Sequence, residues 1–298
     1  MDKLQKRYGL LTAICMVVGI VIGSGVFFKA QTILQKTGGN MPLGILAWII
    51  GGVIMLTCLL AFSVMAQKFE KVNGIVDYAE ACVSSRYAYY IGWFLSIIYY
   101  PCLTSVLAWL SARYTLVFIT SVAPDFPLLG LGAAAGAETI LGPECMSLAM
   151  FYLCCAYAVN ALSPKLAGKL QVSTTIIKLI PLFLMAIAGI VVGIANGTLA
   201  NNFKTLADVG AANATGSPLL ASVCATAFAY EGWIIATSIN AELKDAKKNL
   251  PRALVIGAII IIATYIFYYV GVAGGATNQE LIDSGATVAF INVFGNVL

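Results

Sequence analysis

The sequence predicts an all-α integral membrane protein that crosses the bilayer seven times, and composition and patterning both point to it. Of its 298 residues, 60% are hydrophobic and 10% charged, with a mean hydropathy of +0.92. Soluble domains average about 45–50% apolar and about 25% charged residues. Apolar runs recur near residues 9–36, 43–67, 87–118, 145–163, 167–195, 217–240 and 251–275, separated by polar or charged loops. A helix rising about 1.5 Å per residue needs roughly 20 apolar residues to cross hydrocarbon, which these runs supply.

The first run is longer than a secretory h-region and lacks a small-residue cleavage pattern, so it reads as a mature helix. Placing the N-terminus in the cytoplasm puts twelve of the seventeen Lys and Arg residues on the inner side. Only Lys36, Arg113 and Lys204 then fall near the outer side, while Lys29 and Lys178 lie within spans. That asymmetry is the one the positive-inside rule expects. Residues 68–86 carry alternating charges and predict a short surface helix beside the inner leaflet, packed on the bundle. The segment from Ala123 to Gly142, with Pro124 and Pro127 and a Gly/Ala-rich stretch, reads as an outer loop.

Composition also excludes classes of chemistry. There is no His, which removes the commonest general base and transition-metal ligand. A membrane-embedded hydrolase would need a nucleophile with a base or a metal site, so the expectation is no enzyme, no metal and no cofactor. No basic patch suits nucleic acid. The eight Cys lie mostly in apolar runs without a Cys-x-x-Cys pair and read as buried free thiols.

Two spans carry interruptions. The first holds Gly23-Ser24-Gly25 near its middle, and each Gly costs about 1 kcal/mol relative to Ala in a helix. Two in three residues invite the helix to open toward protein or a water-filled cavity; Gly19-x-x-x-Gly23 reads equally as a close-packing seam. The sixth span holds Phe228-Ala229-Tyr230-Glu231-Gly232-Trp233, and Glu231 is the one acidic residue within the seven runs. A carboxylate at that depth is costly and marks either a working site or a structural hydrogen-bond network. Breaks five helices apart are the signature of an inverted repeat, in which half-helix N-termini face an anionic group and C-terminal carbonyls a cationic one. A zwitterion suits that field.

These motifs, with Ala241-Glu242-Leu243-Lys244 and Asn249-Leu250-Pro251-Arg252-Ala253 after the sixth span, resemble the amino acid–polyamine–organocation superfamily of amino acid permeases. The resemblance runs over the whole chain. It implies a LeuT/APC-type five-plus-five inverted-repeat fold and secondary active transport of amino acids by alternating access. It implies substrate carboxylate binding by backbone N–H groups of Gly23, Ser24 and Gly25, and amine binding by carbonyls of Phe228, Ala229 and Glu231. Phe228 would act as an aromatic lid, or simply pack. Lys178, about eight residues beyond the inner end of the fifth span, lies roughly 12 Å deep. The resemblance makes it a fixed cation in the place where related carriers hold sodium, hence sodium-independent proton symport or amino acid exchange; the other reading is a snorkelling or structural Lys. Tyr99 falls where the family lines the pocket, though a Tyr pair before Pro101 also suits helix packing. Trp233 reads as structural, and Gly189-x-x-x-Gly193 and Gly271-x-x-x-Gly275 as packing seams.

Family members usually have about twelve spans, and seven are present here. One transmembrane domain over 1–298 is expected, with the first repeat at about 9–195, the start of the second at about 217–275 and an incomplete end at 276–298. The chain therefore reads as a truncated product or a fragment, and the alternative to a carrier is a non-transporting binding or regulatory remnant. The expected partners are an amino acid, the lipid bilayer and protons, in a bacterial cytoplasmic membrane.

Overall fold

The computed structural model describes residues 8–23, 25–68, 74–123, 142–204, 217–236 and 243–295. Among these the regular secondary structure is helical, apart from one isolated bridge of Tyr8 with Leu243. Among the described residues six helices are long and apolar enough to cross a membrane, or seven if one bent pair counts as a single span. The protein is an integral multi-pass membrane protein. Most of the proposed outer loop, the inner segment at 69–73 and Ser24 lie outside the described residues.

The chain divides into two compact units. The first comprises residues up to Tyr78 and from Gln171 onward. It opens with α1 (Leu10–Val21) and α2 (Gly25–Thr37), inclined at 49°, followed by α3 (Met41–Lys68). The short α4 (Ile75–Cys82) fits the expected surface helix, with the Tyr78 ring packed edge-on against Phe62 at 5.7 Å. Burial, with Asp77 beside it, pushes the Tyr78 hydroxyl up to about 12. The second unit, Ala79–Leu170, carries α5 (Ser85–Phe94), a single π-helical turn at Leu95–Tyr99, α6 (Tyr100–Val122) and α7 (Pro143–Leu162). Pro101 has no N–H to donate, and the widened turn lies directly before it. The hydroxyl of Thr115 on α6 bonds that of Tyr152 on α7 at 2.9 Å.

In α8 (Pro164–Ala195) the residues from Gln171 belong to the first unit. They are joined there by α9 (Thr198–Lys204), α10 (Pro218–Ala229), α11 (Trp233–Ala236), α12 (Ala246–Gly275), α13 (Asn278–Ser284) and α14 (Ala286–Phe294). α12 is the centre of this unit, with Leu254, Ala258, Ile261 and Tyr265 fully buried. The two Gly seams prove to be one: a Cβ on Gly189 would collide with the carbonyl of Gly271, and one on Gly193 with Gly274. Backbones approach this closely only where neither side chain intervenes.

At one end of this unit, Asn202 on α9 donates to the carbonyls of Ala273 and Ala276 at 2.6 and 2.8 Å and accepts from the N–H of Asn278. Asn278 in turn donates to Gly39 O at 2.7 Å, and Gln31 on α2 donates to Ile282 O at 2.9 Å. These side chains satisfy carbonyls at or just past the ends of α2, α12 and α13.

The cysteines depart from the expectation of burial. All eight are free, but only Cys145 is buried, while Cys58, Cys82, Cys102, Cys154, Cys155 and Cys224 lie on exposed helix faces. When the surrounding solvent is hydrocarbon, a small apolar side chain gains nothing by turning inward, so apolar character does not predict burial.

Candidate functional site

Helix α1 stops at Val21, and Ile22 turns to an extended conformation. The opening exposes the last carbonyls of α1, which hydrocarbon cannot satisfy. Each has a partner. Val18 O accepts from the N–H of Ile22 at 2.8 Å, Gly19 O from the Lys178 ammonium at 2.7 Å, and Val21 O lies 3.1 Å from the Tyr265 hydroxyl. Side chains from α8 and α12 thus stand in for the next turn of helix. Of the two readings of Gly19-x-x-x-Gly23, each residue takes one. A Cβ on Gly19 would collide with the Thr175 hydroxyl on α8, whereas one on Gly23 would come no nearer than 4.0 Å to a described atom, Val21 O.

The second interruption runs from Tyr230 to Gly232, between α10 and α11. Gly232 has φ +109°, which L side chains rarely adopt, and a Cβ there would stand 3.1 Å from Ile20 on α1. Glu231 is half-buried in this turn, with the N–H of Gly232 in hydrogen-bonding reach of its carboxylate. Tyr230 reaches away to donate to Trp48 O at 2.9 Å, and Trp233 packs edge-on against Phe62 at 5.0 Å.

The two interruptions touch. A Cβ on Gly25, the first residue of α2, would stand 3.0 Å from Ala229 Cα and 3.4 Å from the Phe228 ring. Tyr265 spans both breaks: besides Val21 O, its hydroxyl lies 2.8 Å from Ala229 O and donates its single proton between the two. Ala229 O keeps a second lone pair for another donor. Half-buried Lys29, one turn beyond Gly25, places its ammonium over the Phe228 ring at 5.1 Å from the centroid. Phe228 itself is 48% exposed, so its ring is not core packing.

Gly23, Gly25, Phe228, Ala229, Glu231 and Lys178 therefore all belong to the first unit, at or beside the two breaks. Tyr99 belongs to the second unit, where its ring meets Tyr100 edge-on at 5.4 Å and its buried hydroxyl has no hydrogen-bond partner among the described residues. Sequence reasoning missed Tyr265 and the pairing of Lys29 with Phe228. A Tyr in an apolar run carries no local signal, although Lys29 was visible as an intramembrane cation.

Chemically, the N-terminal N–H groups of α2 form a positive end and the C-terminal carbonyls of α10 a negative one, brought against each other. Such a pair complements a small zwitterion. Among the described residues, no group of three His, Cys, Asp or Glu side chains could hold a metal ion.

The comparisons with known proteins agree with one another. A family profile described as amino acid permease matches residues 8–298. The serine/threonine exchanger SteT of Bacillus subtilis is 29% identical, over 99% of this chain and 62% of its own length. The Asc-type amino acid transporter 1 of Mus musculus is 26% identical over 95% of this chain and 50% of its own, and the b(0,+)-type amino acid transporter 1 of the same species 28% over 95% and 54%. The chain thus spans roughly half to three-fifths of the length of these curated relatives. With a match over nearly every residue, the chain belongs to the amino acid permease family.

Proposed function

We propose that this chain carries the substrate site of a secondary active transporter that moves amino acids across the cytoplasmic membrane by alternating access. The observation that carries the reading is the apposition of the two helix breaks, with Gly25 against Ala229 and the Tyr265 hydroxyl between Val21 O and Ala229 O. In this reading the N–H groups of Gly23, Ser24 and Gly25 bind the α-carboxylate. The carbonyls of Phe228, Ala229 and Glu231 receive the α-amine, and Phe228 covers the bound molecule.

Transport is sodium-independent, because the Lys178 ammonium already holds Gly19 O with a fixed positive charge. Proton symport and amino acid exchange both fit, and similarity to the serine/threonine exchanger of Bacillus subtilis favours exchange. The N-terminus lies in the cytoplasm, supported by the distribution of Lys and Arg.

The test is uptake of a pool of labelled amino acids into proteoliposomes holding the full chain. Inner pH, internal amino acids and external sodium or choline are varied. Saturable uptake, equal in sodium and choline, is the expected result, with trans-stimulation marking exchange and an inner-pH response marking symport. No uptake of any amino acid, with correctly inserted protein, would overturn the reading.

A further inference from the structure

Lys29 is a cation inside a span with no carboxylate paired to it among the described residues. It lies eight residues before the end of α2 at Thr37, a depth of roughly 12 Å along the helix. Intramembrane charges are costly and are normally paired or given work. Lys178, also within a span, has the carbonyl of Gly19 as its partner. Lys29 does not snorkel outward along α2; its ammonium lies over the face of Phe228. That ring in turn lies against Gly25, 3.4 Å from where a Cβ would be. A ring face offers electrostatic attraction but no hydrogen-bond acceptor, so the three ammonium protons keep donor capacity.

We infer that Lys29 reads the substrate side chain, favouring amino acids with an anionic or hydrogen-bond-accepting side chain and rejecting cationic ones. The inference rests on the substrate site proposed above. It follows from the placement of a fixed, unneutralised positive charge one turn from Gly25 on the face that carries Phe228. A cationic side chain entering there meets a like charge where little water screens it, while a carboxylate or hydroxyl finds a donor.

The experiment measures equilibrium binding of L-alanine, L-aspartate and L-lysine to the full chain in lipid nanodiscs, for the unaltered protein, Lys29→Met and Lys29→Arg. The unaltered protein should disfavour L-lysine relative to L-alanine by at least about tenfold. Lys29→Met, which keeps the aliphatic stem, should shrink that ratio to within about threefold and lower the aspartate-to-alanine ratio, whereas Lys29→Arg keeps both. Equal binding of L-lysine and L-alanine by the unaltered protein overturns the inference, without need of a variant that folds. So does a Lys29→Met variant that weakens all three ligands alike, which would make Lys29 a partner of the common α-carboxylate. Binding of none of the three by the unaltered protein would instead remove the amino acid site, and the inference with it.

Discussion

The Lys178 ammonium lies 2.7 Å from the carbonyl oxygen of Gly19, joining α8 to the last turn of α1 across 159 residues of sequence. Hydrogen bonds to charged groups are worth about 1.5–3 kcal/mol, and removing one partner leaves the other buried and unsatisfied. Lys178→Met should therefore loosen the end of α1 and lower the initial rate of amino acid uptake at least about tenfold. Near-normal uptake by well-inserted Lys178→Met protein would make this Lys merely structural.

Tyr265→Phe deletes the hydroxyl that lies between Val21 O and Ala229 O and changes little else in the core. One or both carbonyls then lack a donor in a buried site, at a cost of about 1–3 kcal/mol. Substrate affinity should fall about five- to 150-fold, the range that cost spans. Thermal unfolding of detergent-solubilised protein should shift to lower temperature as well. An unchanged affinity would mean that the two breaks hold their relation without the hydroxyl.

Gly25 tests the closeness of the breaks in steps. Gly25→Ala adds a Cβ 3.0 Å from Ala229 Cα, which a few tenths of an ångström of movement relieves. Gly25→Val adds two further methyls against the same backbone, and overpacking of this kind costs about 1–3 kcal/mol. Binding should weaken modestly in the first variant and about five- to 150-fold in the second, as measured by isothermal titration with a substrate found in the uptake experiment. Full affinity in Gly25→Val would exclude Gly25 from the site.

A pH effect is expected away from the membrane spans. Glu280 caps α13 by accepting from the Thr277 N–H at 2.9 Å and its hydroxyl at 2.8 Å, which hold its carboxyl below the usual value of 4.5. Because the folded value is depressed, the contribution is fully present above the unfolded value and is lost as pH falls through the folded one. Glu280 is nearly fully exposed, so solvent screening keeps the effect local. Amide hydrogen exchange of α13, corrected for intrinsic rates, should speed up as pH drops below about 4.5, and Glu280→Gln should abolish that pH dependence. Protection that is flat with pH in the unaltered protein would refute the cap.

The membrane class, the seven spans and the two breaks were legible because each depends on composition within a short window. About 20 apolar residues define a span wherever it packs, Gly23 and Gly25 weaken a helix locally, and Glu231 is conspicuous in any apolar run. Gly189, Gly193 and Gly271 were visible as seams for the same reason, but not as one contact that also uses Gly274, while Gly275 meets Ala289 and Met185 instead. Nothing local marks Tyr265 either, since its role depends on carbonyls 244 and 36 residues away in sequence. The cysteines were misread because burial follows from which helix face meets another helix, and in hydrocarbon an apolar face carries no such information.

By itself the sequence determined which segments enter the membrane and where two of them cannot remain helical, because hydropathy and backbone propensity act over a single turn or span. Only the tertiary structure decided that the breaks meet, that Lys178 and Tyr265 complete the end of α1, and that Lys29 faces Phe228. Those relations arise from packing, in which opened backbone must find donors and acceptors among distant side chains because lipid offers none.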